Sequence, residues 1–94
     1  MRTLVWSASF LRAYKRAIKN NPELRIKIEH TLDLLVKDAF HPQLRSHKLK
    51  GELAGAWACT VDYDNRIIFE FMRTQKDQDD EIFLLSLGTH EEVY

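Results

Sequence analysis

The sequence predicts an α+β fold: an N-terminal strand and a helical hairpin packed on one face of a small antiparallel β-sheet. Three observations carry this. Apolar residues recur at helical spacing through the first forty residues. From Ala56 the pattern changes to three strand-like runs, AWACTVDY, RIIFEFM and EIFLLSL. Their connections are short, which joins successive strands as an antiparallel meander, and two amphipathic helices need such a face to bury against. The 94 residues make one domain, 1–94, with no repeat, linker or low-complexity segment.

Arg2 to Trp6 is short and rich in strand formers, so it opens the chain as a strand. Ser7 or Ser9 can cap the helix that follows. Phe10, Leu11, Tyr14, Ala17 and Ile18 form its apolar stripe, while Arg12, Lys15, Arg16 and Lys19 fall largely elsewhere. Asn20-Asn21-Pro22 breaks it, and Pro22 suits the first turn of a second helix. Leu24, Ile28, Thr31, Leu32 and Leu35 give that helix one stripe, running to about Phe40, where His41-Pro42 stops it. So short a connection makes the pair an antiparallel hairpin. Residues 41–55 have no clean period and read as a loop. Asp64-Asn65 marks a tight turn between the first two late strands, and TQKDQDD, residues 74–80, the longer connection to the third. Beyond the last strand, Thr89 followed by Glu92 resembles a capping box, which predicts a short C-terminal helical turn.

Composition narrows the function. No apolar run approaches a membrane span of about 20 residues. Arg12 and Lys15 interrupt the N-terminal segment, which does not read as a signal peptide. The single cysteine, Cys59, forms no internal disulfide and fits a reducing cytoplasm. One Cys and four scattered His make no zinc pattern, so no metal or other cofactor is expected. Net charge is zero but uneven. Residues 1–20 carry five basic groups and no acid, and residues 41–50, HPQLRSHKLK, three basic groups, two histidines and no acid; residues 51–94 carry ten acids against three basic groups. A local basic patch is what contacts phosphate, whatever the total.

Four features suggest chemistry at one end of the sheet. The loop SHKLKG carries His47, Lys48 and Lys50. Arg66 opens a strand on the face opposite Ile67, Phe69 and Phe71, where it can meet an anion or pair with Asp64 or Glu70. His90 follows the last strand, and Tyr94 lies one helical turn further on. Two imidazoles, a guanidinium and a phenol suit RNA cleavage without metal. The 2′-hydroxyl loses a proton and the departing 5′-oxygen gains one, which imidazole does near neutral pH. The phosphorane gathers charge that a guanidinium offsets. Glu91 and Glu92 complicate this, since they favour imidazolium but repel phosphate. His30 and His41 read as structural.

HKLKGELAGAW, VDYDNRIIFEF and LLSLGTHEEVY resemble the RelE/ParE superfamily of bacterial toxin–antitoxin toxins, in its RelE-like and YafQ-like mRNA interferase branch. The likeness covers nearly the whole chain. It implies a RelE-like fold and cleavage of mRNA in the ribosomal A site or, as in some members, of free RNA. It also implies a cytoplasmic protein and a cognate antitoxin, encoded adjacently, that wraps and blocks the toxin in a hetero-oligomer. The basic face of the first helix suits an acidic, partly disordered segment as well as it suits water. By the resemblance His90 matches the essential histidine of YafQ-like members, His47 a loop histidine, Arg66 a phosphate-stabilising arginine of RelE and Tyr94 the C-terminal aromatic. The expected catalytic set is therefore His47, Arg66, His90 and Tyr94, with His90 as general acid, His47 or Asp62 as general base, and Arg45, Lys48, Lys50 and Trp57 as RNA contacts. RelE's two strand lysines align on Trp57 and Cys59, which turns these residues to the open groove; alternation instead buries Trp57, Cys59, Val61 and Tyr63. Two other functions share the fold: a ParE-like inhibitor of DNA gyrase, which lacks the histidine pair, and an inactive interaction module.

Overall fold

The computed structural model describes residues 2–73 and 80–89. The opening strand β1 is Thr3–Trp6. Ser7, not Ser9, caps helix α1, Ala8–Ile18: its Oγ accepts from the Phe10 N–H at 2.9 Å and its hydroxyl donates to the Leu85 carbonyl at 3.2 Å. One serine thus satisfies a helix end and fastens it to a strand 78 residues away. Asn20 takes a left-handed conformation (φ 58°) between the helices. The Asn21 side chain accepts from the Leu24 N–H, and Pro22 opens α2, Pro22–Lys37. The second helix ends at Lys37 rather than near Phe40, because Asp38 is extended and its carboxylate accepts from the Phe40 N–H at 3.2 Å.

The stretch expected to be all loop holds three short elements. A 3-10 turn at Pro42–Leu44 is capped by His41 Nδ1, which accepts from the Gln43 N–H at 3.1 Å. Strand β2, His47–Lys48, follows, then a second 3-10 turn at Gly51–Leu53. Three longer strands complete the fold: β3, Trp57–Thr60, β4, Asn65–Arg73, and β5, Asp80–Thr89. The sheet order is β1-β5-β4-β3-β2. The three late strands form the expected antiparallel meander. The sheet as a whole is mixed, because β1 joins its edge parallel to β5. Parallel neighbours need a long crossover, and here the whole helical hairpin lies between them.

Both helices cover one face. Phe10, Ile28, Leu32 and Leu35 pack there against Cys59, Ile67, Phe69, Ile82, Leu84 and Leu87. Thr31, the buried polar residue of α2, donates its hydroxyl to the Lys27 carbonyl at 2.8 Å. A bulge in β5 sets Leu84 opposite Phe69 but Ser86 opposite Ile68. The extra residue, Leu85, packs with Ile68, Ala58, Ala56 and Leu49 on the open face. The bulge keeps both Leu84 and Leu87 in the core although they are three residues apart.

Trp57 and Cys59 face the helices. The alternation argument holds for both and for Val61, and the alignment that turned the first two to the open groove is corrected. Tyr63 breaks the alternation because β3 ends at Thr60; it stands 91% exposed on the turn.

Candidate active site

Strand register places the open-face side chains. His47 pairs with Ala58, Ala58 with Ile68 and Ile68 with Ser86, which makes one row across the sheet. The next row runs Thr60, Arg66, Gly88. His47 and Arg66 therefore share the open face, two strands and one residue pair apart, or roughly 12 Å between Cα atoms by standard strand spacing. A phosphate group and two long side chains span such a gap.

Local hydrogen bonds fix each of these groups. His47 Nδ1 lies 3.0 Å from the Arg45 carbonyl oxygen. A carbonyl has no proton to give, so Nδ1 carries the hydrogen of the neutral ring and Nε2 is its basic nitrogen. Arg66 folds over the β3–β4 turn. Its Nη1 donates to the carbonyls of Asp62, Tyr63 and Asn65 at 2.6, 3.0 and 3.1 Å. Among the described residues the rest of that guanidinium has no hydrogen-bond partner, and no ion pair forms to Asp64 or Glu70.

The Asp62 carboxylate builds the same turn. Oδ1 accepts from the N–H of Asp64, the N–H of Asn65 and the Asn65 amide at 2.8–3.0 Å. Oδ2 lies 3.7 Å from the Lys27 ammonium of α2. Partial burial opposes ionisation of this carboxyl, but the Asn65 and Asp64 hydrogen bonds and Lys27 outweigh it and hold its pKa below the usual carboxylate value. Asp62 is charged at neutral pH with both oxygens engaged. Cys59, on the helix-facing side of β3, is buried, and desolvation pushes its thiol up to about 12, so it stays protonated.

A cleft of about 630 Å³ opens between the first 3-10 turn and the β3–β4 turn. Gln43 and Arg45 line one wall and Thr60, Asp62, Tyr63 and Arg66 the other. Arg45 is held in the left-handed region (φ 50°), and its N–H donates to the Pro42 carbonyl at 3.3 Å. Of the expected RNA contacts, Arg45 lines this cleft and Lys50 is exposed just before the second 3-10 turn. Lys48 points to the other face, its ammonium 5.7 Å from the Trp57 ring centroid. Trp57 itself packs edge-on against Phe40 and Phe71, with centroids 5.4 Å away, so it does not stack a base in the open groove. His90 and Tyr94, and the helical turn expected to carry them, lie outside the described residues. Thr89, the last described residue of β5, is opposite Asn65, one residue past Gly88, the partner of Arg66. Tyr63, Thr60 and Gln43 were not picked out from the sequence; the signal for Tyr63 was an aromatic inside the polar turn VDYDN. Among the described residues no group of three His, Cys, Asp or Glu is placed to hold a metal ion.

Residues 2–94 match the model of a family described as the bacterial toxin of type II toxin–antitoxin systems, YafQ. The chain belongs to the YafQ toxin family. Solved structures agree with the fold. YafQ from Escherichia coli strain BL21(DE3) superposes with a TM-score of 0.78 at 20% identity, covering 100% of this chain and 99% of that one. A YoeB/ParE toxin from Agrobacterium tumefaciens gives 0.78 at 18%, covering 94% and 98%. A copper-bound mutant toxin from Helicobacter pylori gives 0.72 at 28%, covering all of both chains. No curated protein matches the chain.

Proposed function

We propose that this YafQ-family toxin is a metal-independent endoribonuclease that cleaves mRNA in the ribosomal A site and so stops translation. The observation that carries the reading is the shared open face of His47 and Arg66, with Arg45 beside them and His90 joined directly to the strand that pairs with Arg66. His47 is the general base. The Arg45 carbonyl at Nδ1 sets the tautomer that places the ring's lone pair on Nε2, whereas the oxygens of Asp62 are committed to the turn. The nitrogens of Arg66 not used on the turn offset charge on the phosphorane. His90 is the general acid, and Tyr94 stacks on a base or hydrogen-bonds to phosphate. Lys50 adds attraction for the backbone. The toxin works in the cytoplasm, and no helix among the described residues is long and apolar enough to cross a membrane. A cognate antitoxin holds it in a hetero-oligomer, in line with the E. coli DinJ–YafQ complex, whose YafQ chain shares this fold.

The test is cell-free translation of a defined message with the protein added, mapping new 5′ ends by primer extension. Cuts at codon spacing are expected from the parent and at least 100-fold fewer from His90→Ala, within the roughly 10²–10⁴-fold worth of one acid or base. Intact message with both proteins removes the nuclease reading. A gyrase inhibitor would keep its toxicity in His90→Ala.

A further inference from the structure

We propose that the cleft between the first 3-10 turn and the β3–β4 turn is a subsite for an unpaired nucleotide of RNA, in which the Tyr63 ring stacks on a base and Arg45 and Arg66 hold the adjoining phosphate. The inference rests on the ribonuclease reading and names a substrate contact for it.

Tyr63 is the first observation. It is 91% exposed, and no ring contact fixes it among the described residues. The turn that carries it does not depend on it. The Asp62 carboxylate ties residues 62–65 together, and Arg66 Nη1 gathers three carbonyls, one of them that of Tyr63. An aromatic face is therefore presented on a fixed backbone, so stacking costs little ordering. Only a base free of its own helix can use such a platform, which selects single-stranded RNA.

Charge and shape are the second. Two guanidiniums line the cleft against one carboxylate. That carboxylate is already matched by three N–H donors and by Lys27. The field left at the cleft is positive and suits phosphate. The Gln43 amide and the Thr60 hydroxyl supply donors and acceptors for a base edge. The volume of about 630 Å³ leaves room for a nucleotide. Position is the third. Arg66 belongs to both the cleft and the His47 face, and the carbonyl of Arg45 orients His47. A base seated here adjoins the phosphate to be cut, so this subsite sets base preference next to the cleavage point.

The test is a fluorescence anisotropy titration with a labelled, single-stranded 2′-O-methyl hexanucleotide, whose blocked 2′-oxygen prevents cleavage. The parent, Tyr63→Ala and Tyr63→Phe are compared at low salt, with thermal melts to show that each is folded. Tyr63→Ala is expected to bind about tenfold more weakly, the scale of one base–aromatic stack, and Tyr63→Phe to bind like the parent. Equal binding by Tyr63→Ala, equal losses in both variants, or no binding by the parent at millimolar protein overturns the proposal. Message cleavage is scored separately in the translation assay. Tyr63-dependent binding without cleavage would keep the subsite and remove the nuclease; cleavage with Tyr63-independent binding would do the reverse.

Discussion

Asp62 shows how one side chain can shape a candidate site through the turn it closes. Its carboxylate closes the β3–β4 turn, and the turn's carbonyls hold the arginine that faces the open groove. Truncation in Asp62→Ala leaves two backbone donors that water can reach, so the expected loss is about 1–2 kcal/mol of stability. The exposed Lys27 pair adds little to that. Native Asp62 has a lowered pKa. Its contribution is therefore complete above the unfolded carboxylate value, near pH 4, and is lost as pH falls through the native value. Denaturant melts should show the gap between parent and Asp62→Ala narrowing below about pH 4. A constant gap down to pH 2 would contradict this account of the turn. Tyr63, one residue on, illustrates what alternation misses. A period of two assigns a face only while the strand lasts, and β3 stops at Thr60.

Among the elements, the two helices were legible because their stripes are periodic and their ends carry caps and Pro22. The core side of the late strands was legible for the same kind of reason. Trp57 and Cys59 followed local alternation, and the alignment to lysines misplaced them because an ungapped match says nothing about which face a strand turns to the core. The pairing of β1 was not legible. Strand direction depends on a partner 78 residues away, and the short run TLVW holds no trace of it. Nor was β2, whose two residues are too few for any period. Ser7 is the point where local signal and long-range pairing meet, since it caps α1 and donates to β5. Ser7→Ala should cost about 1–2 kcal/mol, the upper part of the range for a lost cap. Ser9→Ala, at the rejected cap position, should leave the thermal midpoint within a degree or two. Equal effects of the two substitutions would show that the Ser7 contacts carry no stability.

At the scale of the whole molecule, the fold separates stability from chemistry. The helices and the inner sheet face build the core, and the opposite face is left to His47, Arg66 and the small apolar cluster around Ile68. The zero net charge conceals an uneven distribution: residues 41–50 carry no acid, and Arg45 of that loop lines the cleft with Arg66 although ten acids fall in residues 51–94. His47 and Arg66 could be named from the sequence by their placement and by the resemblance; the register that brings them to one face, and the arginine-lined cleft beside them, could not. In the proposed reaction two histidines drive attack by the 2′-hydroxyl with no metal-bound water. That reaction is tested most directly by the chemistry of the cut ends. Message fragments from cell-free translation with the parent protein would be recovered and their new 5′ ends assayed for phosphate with and without prior treatment by a polynucleotide kinase. Attack by the 2′-hydroxyl leaves 5′-hydroxyl ends that gain phosphate only from the kinase, opposite 2′,3′-cyclic phosphates. New ends already bearing 5′-phosphate, or no new ends at all, would contradict it.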